Sequence, residues 1–287
     1  MQTIQWFPGH MAKARREISE KIKQVDLIIE LKDARIPYSS TNPMIDEIVG
    51  NKPRLILLCK SSMADPLVTK LWIESYKKKN IIALDIDSIT GFHVNQVIKY
   101  AELALKSVFA KRKEKGILSK TIKAMILGIP NVGKSTLINT LAKRKATNVG
   151  NKPGVTKSQT WIRVTDDLFL LDTPGILWPK FEDQEVGLKL AMCGSIKDEI
   201  LSLEQITMAS INYLSTNYPE LLKNRYGLED VNKDSLEVLE DIGRKRGFLL
   251  KGGVVDISRT TTMFLNELRT MKIGAMSYER PREDWFI

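Results

Sequence analysis

Gly128-Ile129-Pro130-Asn131-Val132-Gly133-Lys134-Ser135-Thr136 decides how this chain is read. The stretch fits G-x-x-x-x-G-K-S, a loop whose backbone N–H groups cradle phosphate oxygens. Glycines let those amides turn inward without a Cβ in the way. Lys134 is then a fixed cation for the β- and γ-phosphates, and the Ser135 hydroxyl is placed for Mg²⁺. Residues 122–127, Ile-Lys-Ala-Met-Ile-Leu, read as a buried strand leading in. Residues 135–143 read as a helix leading out, with its N-terminal amides toward the phosphates.

Working back from this loop, apolar runs alternate with helical patterns. Strands are expected at 27–29, 55–58 and 81–84, and helices at 11–24, 43–49, 66–78 and 94–109. Such alternation means βαβ units and a mostly parallel sheet, hence an α/β fold. Working forward, residues 146–158 are rich in Gly, Pro, Thr and Asn and read as a mobile loop. Strands at 160–164 and 168–171 follow. From about 187 the pattern is helical, with helices at 203–214, 218–226, 236–244 and 262–271. That region reads as a separate helical domain, with 281–287 as a loose tail.

Bulk properties narrow the class. Hydrophobic residues make up 43% and charged residues 27% of the 287, the balance of a globular protein with a core. Two cysteines, Cys59 and Cys193, cannot build a disulfide framework and suit a reducing compartment. The first residues lack a signal-peptide pattern, and no apolar run reaches the ~18 residues of a membrane span. A cytoplasmic protein without a membrane partner is expected. The net charge of +10 is uneven: residues 195–287 sum to −2 and the first 194 to +12. The basic stretches at 106–123 and 134–163 suggest an RNA partner.

A second phosphate motif, Asp172-Thr173-Pro174-Gly175, closes an apolar strand 38 residues after Lys134. Asp172 can hold Mg²⁺, usually through water, and the Gly175 amide can meet a γ-phosphate. Between the two motifs, Thr156 in Pro153-Gly154-Val155-Thr156 can complete the Mg²⁺ shell when that phosphate is present.

P-loop, mobile threonine and D-x-x-G together resemble a GTPase. The guanine-reading N-K-x-D expected after Gly175 is absent there. Its counterpart lies earlier, at Cys59-Lys60-Ser61-Ser62 after an apolar strand. The chain therefore resembles a circularly permuted GTPase. Trp6-Phe7-Pro8-Gly9-His10-Met11, Asp33-Ala34-Arg35-Ile36-Pro37, the P-loop, and Asp172-Thr173-Pro174-Gly175-Ile176-Leu177-Trp178-Pro179-Lys180 resemble the ribosome biogenesis GTPase A family over nearly the whole chain.

The resemblance implies a GTPase domain at 1–185 and a helical ribosome- or RNA-binding domain at 186–287. Within the first, 1–110 would hold the N-terminal helix and base half, 111–121 a basic connector, and 122–185 the phosphate half. It implies a monomer that binds the immature large ribosomal subunit, promotes a late assembly step, and hydrolyses GTP to GDP when stimulated by the particle. Ile176 cannot orient water, so the resemblance assigns that role to His10, with Lys134 and Gly175 completing the catalytic set. Asn131 resembles the asparagine of K⁺-stimulated GTPases. Nucleotide contacts are expected from Cys59, Lys60, Ser62, Asp87, Ser88, Asn131, Val132, Gly133, Lys134, Ser135, Thr136, Thr156 and Gly175. Mg²⁺ would be held by Ser135, Thr156 and Asp172, and K⁺ by Asn131.

The base motif departs from the family at both ends. A neutral Ser62 stands where an aspartate would accept two guanine N–H bonds. Hydrogen bonds to charged groups are worth roughly 1.5–3 kcal/mol each, so a roughly ten- to hundred-fold weaker or less selective base site is expected. Asp65 lies three positions too late to substitute. A second reading stays open: an RNA-binding assembly factor that nucleotide only tunes. A P-loop ATPase or kinase would fit the relaxed base site but not the N-terminal motif. Arg244-Lys245-Arg246, the N-terminal helix, the 106–123 connector and the loop after Lys145 are the candidate RNA contacts.

Overall fold

The computed structural model describes residues 10–143, 160–173, 175, 177, 183–196 and 202–286. Six strands form one sheet: β1 (Leu27–Asp33), β2 (Arg54–Cys59), β3 (Ile82–Asp85), β4 (Ile122–Gly128), β5 (Thr160–Arg163) and β6 (Leu168–Asp172). The order is β3-β2-β1-β4-β6-β5. Neighbours are parallel except the edge pair β5–β6. The base-half strands thus precede the P-loop strand in sequence and lie to one side of it.

β1 is buried along its whole length, as a central parallel strand must be. Its alternate residues serve opposite faces. Leu27, Ile29 and Leu31 join Leu55, Leu57, Ala124, Ile126, Leu168 and Leu170 on one face. Ile28 joins Met125, Leu127 and Leu171 on the other. That second face is covered by α1 (His10–Lys21) through Ile18, and by α2 (Pro43–Val49) through Ile45 and Val49. Beside them, α3 (Pro66–Lys78) lays Val68, Trp72 and Tyr76 on Ile56 and Leu58 of β2.

The expected helix at 94–109 is interrupted. It divides into α4 (Val97–Ala104) and α5 (Lys106–Glu114), with fully buried Leu105 at the break. The stretch read as a connector from 111 is helical to Glu114, and Arg112 there is committed to Asp26 and the Thr121 carbonyl. Then come α6 (Lys134–Ala142), α7 (Gln184–Met192), α8 (Leu203–Asn217), α9 (Pro219–Tyr226), α10 (Ser235–Lys245) and α11 (Ile257–Arg269). The boundary expected at 185/186 falls inside α7, which Asp183 caps by accepting from the Glu185 amide. The apolar cluster on that side of the sheet continues through Leu190 of α7 into Ile211 of α8 and Phe264 of α11.

The end of the described chain corrects the expectation of a loose tail. The Trp285 ring stacks on Tyr38 at 4.2 Å and lies 5.8 Å from Trp72. Just before it, Glu279 is buried and accepts from the Tyr38 and Ser39 amides and the Ser39 hydroxyl. The Trp72 indole N–H donates to the Glu279 carbonyl at 3.1 Å. A half-buried tryptophan in this stack contributes about half of a buried Trp→Ala loss, so Trp285→Ala should lower stability by about 2 kcal/mol in urea unfolding.

A buried charge system lies where β1 ends. Arg35 grips Asp33 with Nε at 2.9 Å and Nη2 at 2.8 Å, and Lys60 reaches the same carboxylate at 3.1 Å. Burial raises the Asp33 pKa, but Arg35 and Lys60 outweigh it and hold the carboxyl far below the usual range. Stability from this depressed group is present above its unfolded pKa of about 3.9 and lost as pH falls below it. Arg35→Ala should therefore cost about 3–5 kcal/mol at pH 7, because it strands a buried charge. The gap between variant and wild type should narrow as denaturation is repeated below about pH 4.

Candidate functional site

The P-loop runs between β4 and α6, at the carboxyl end of the sheet. Asn131 (φ 59°) and Gly133 (φ 105°) both adopt left-handed backbone, and α6 begins at Lys134. That sequence of turns faces successive amides inward, the geometry an anion needs. Val132 and Lys134 are buried, and Ser135 and Thr136 open the first turn of the helix.

Lys134 is 7% exposed. Its ammonium donates to Asp172 Oδ1 at 2.8 Å and to the Thr173 carbonyl. Burial pulls its pKa below the usual range, while Asp172 pulls the other way. The two phosphate motifs are thus joined through their charged side chains. Gly175 presses against the loop from the other side: a Cβ there would lie 2.8 Å from the Pro130 Cα and 2.9 Å from its nitrogen. Both obstacles are backbone, so no side-chain rotation can make room. The Asn131 amide donates to the Gly194 carbonyl at 3.0 Å, tying the P-loop to the segment after α7. Thr156 and the side chain of His10 lie outside the described residues; the His10 backbone opens α1.

The expected base contacts cluster at the ends of β2 and β3. Lys60 is left-handed (φ 57°) and pinned to Asp33. Cys59 does not face outward. Its thiol is 2% exposed within the core, and burial pushes it well above a normal cysteine. Only its backbone can serve a ligand. Ser62 is exposed, and its hydroxyl donates to Asp87 Oδ2. Ser88 offers its carbonyl to Thr140 Oγ1 of α6 at 3.1 Å, joining base and phosphate sides. Asp65 is occupied elsewhere, capping α3 through the Leu67 and Val68 amides.

Sequence reasoning left Asp33, Arg35 and Gly194 out of the candidate site. The Asp33-Ala34-Arg35 charge pair at a strand end was a visible signal; the Asn131–Gly194 contact, spanning 63 residues, had none. Among the described residues, no group of three or more His, Cys, Asp or Glu side chains could hold a metal ion. The hydroxyl and carboxylate of Ser135 and Asp172 do suit a hard cation whose remaining ligands are phosphate and water.

The wedge at Gly175 gives a direct test. Gly175→Ala should displace the P-loop and weaken guanine nucleotide binding at least roughly tenfold, with a stability loss within about 1–3 kcal/mol of overpacking. Calorimetric titration with GDP beside thermal unfolding checks both.

The profile of the 50S ribosome-binding GTPase family matches residues 123–242. The ribosome biogenesis GTPase A of Bacillus pumilus is 50% identical over 279 residues, covering 97% of this chain and 99% of the relative. That of Priestia megaterium is 51% identical over 282 residues, covering 98% of both. Among solved structures, GNP-bound YlqF from T. maritima is 30% identical with a TM-score of 0.63, covering 94% of this chain and 99% of that one. GDP-bound TM YlqF is 28% identical with a TM-score of 0.66, covering 93% and 99%. With a P-loop joined to its D-x-x-G strand and relatives matched end to end at half identity, the chain belongs to the ribosome biogenesis GTPase A family and is a GTP-hydrolysing enzyme.

Proposed function

We propose that this GTPase acts in the cytoplasm as a monomer on the immature large ribosomal subunit and promotes a late assembly step, with hydrolysis stimulated by the particle. The observation that carries the nucleotide chemistry is the Lys134–Asp172 contact beside Gly175. On this reading, entry of a triphosphate draws Lys134 off Asp172 and Thr173 and onto the β- and γ-phosphates. Asp172, released, would hold Mg²⁺ together with Ser135 and Thr156. The bound Mg²⁺ would neutralise phosphate charge. Asn131, with its nitrogen on Gly194, has its amide oxygen for K⁺. The Gly175 amide meets the γ-phosphate, and His10 orients the attacking water.

RNA contact is best supported on the N-terminal part. Residues 1–194 carry the whole positive excess. In the helical region, Arg244 is engaged by Glu240 and Asp241, and Arg246 by Glu267. Those side chains are partly spent on intramolecular carboxylates. Lys111, Lys113 and Lys115 are exposed and are the better phosphate contacts, whereas Arg112 is held by Asp26.

The neutral Ser62 in the base motif favours a second reading, an RNA-binding factor whose nucleotide only tunes affinity. Single-turnover hydrolysis with and without large-subunit precursors, in wild type and His10→Ala, separates the two. Stimulation in the wild type that His10→Ala abolishes supports the first reading; no stimulation in the wild type overturns it. In a salt titration of particle binding, charge reversal at Lys111, Lys113 and Lys115 should flatten the log–log slope by roughly 2, since each phosphate contact contributes about 0.7–0.9.

A further inference from the structure

Ser62 and Asp87 follow neighbouring parallel strands, β2 and β3, at the same end of the sheet as the P-loop. Ligands of open α/β sheets lie in the crevice outside these strand ends. The phosphate end is marked by Gly133–Ser135 after β4. β2 and β3 lie two and three strands away in the sheet order, or about 10–14 Å at the ~4.8 Å strand spacing. The crevice therefore runs from the P-loop toward the Ser62–Asp87 pair.

The pair has an order from front to back. Ser62 is exposed; Asp87 is 4% exposed and lies behind it. Asp87 Oδ1 accepts from the Ile89 amide at 2.8 Å and the Thr90 amide at 3.1 Å, which fixes the carboxylate. Oδ2 takes the Ser62 hydroxyl proton. Burial pushes the Asp87 carboxyl up, but the bonds from Ser62, Thr90 and Ile89 outweigh it and hold it below its ordinary value. At neutral pH it is ionised and only accepts.

A hydroxyl has one proton and two lone pairs. A serine facing a base alone could donate or accept and would tell bases apart poorly. With its proton committed to Asp87, Ser62 shows the crevice lone pairs only. Guanine presents N1–H and a 2-amino group on that edge, both donors. Adenine presents an unprotonated N1, an acceptor, and xanthine has an oxo group in place of the 2-amino group.

We propose that Asp87 is a positioning residue for base choice: it locks the Ser62 hydroxyl as an acceptor for the guanine N–H edge, so that the Ser62–Asp87 pair replaces the carboxylate absent from position 62. The proposal rests on the guanine-nucleotide reading of this site.

The test is titration of GDP, XDP and ADP into wild type, Asp87→Asn, Ser62→Ala and the double variant. In Asp87→Asn the amide oxygen keeps the Ile89 and Thr90 bonds and an NH₂ takes the place of Oδ2. Ser62 then accepts from it and turns its own proton outward. The GDP-to-XDP affinity ratio should fall at least roughly tenfold. Ser62→Ala should weaken GDP binding, and adding Asp87→Asn to it should leave the ratio unchanged. Equal losses for GDP and XDP in Asp87→Asn would mark a loop-holding role and overturn the proposal, as would the same ratio shift without Ser62. Wild type that binds GDP and XDP alike also overturns it while leaving nucleotide binding intact. Wild type that binds no guanine nucleotide sinks the underlying reading as well.

Discussion

A carboxylate shut off from solvent governs the centre of this molecule. Asp33, fully buried at the end of β1, can remain ionised only because Arg35 and Lys60 surround it. Each partner also holds a different part of the molecule. Lys60 is the lysine of the base motif. Arg35 also reaches the Cys193 carbonyl at 3.5 Å, and its own carbonyl accepts from the Tyr278 amide at 2.8 Å. One buried charge thus fixes the base loop, the link after α7 and the segment that follows α11. Removing any member would leave the others desolvated, which is why such systems hold a geometry firmly even when their net contribution to stability is small.

The two halves of the nucleotide site are built on different logic. On the phosphate side, Lys134 and Asp172 already satisfy one another, so in the proposed function ligand entry is an exchange of partners rather than the filling of a void. The cost of desolvating both charges has been met in folding, which on the proposed reading presents a triphosphate with an oriented ammonium. On the base side, the recognition proposed above lies in a neutral hydroxyl that donates to a buried carboxylate. The contacts Asn131–Gly194 and Thr140–Ser88 link the phosphate side to the segment after α7 and to the base side.

Local signals carried much of this into the sequence. The P-loop, the D-x-x-G turn and the alternation of apolar runs announced a parallel α/β sheet, because glycine placement and strand periodicity are properties of neighbouring residues. What remained hidden was long-range. Nothing near Trp285 announces Tyr38, and nothing near Glu279 announces the amides of residues 38 and 39. Ser62 read as a loss because Asp87, the carboxylate its hydroxyl donates to, follows a different strand. Cys59 read as a base contact by alignment of positions, yet strand alternation turns its side chain into the core. The break at Leu105 was invisible for a similar reason: apolar spacing continues across it while the burial of that one side chain redirects the helix.

The return of residues 276–285 to the first half of the chain sets an order of events during synthesis. Met276 donates to the Met63 carbonyl, Tyr278 to Arg35, and Glu279 receives the amides near Ser39. These partners are translated more than 200 residues apart. Until the segment after α11 has been made, the Tyr38 and Ser39 amides lack their Glu279 partner, and this part of the base half stays unfinished. Closing so long a loop is slow in time although cheap in free energy, because closure entropy grows only with the logarithm of length. A chain of this design completes the packing around β1 and β2 only late in its own translation, and one interrupted shortly after α11 would carry the complete P-loop without it.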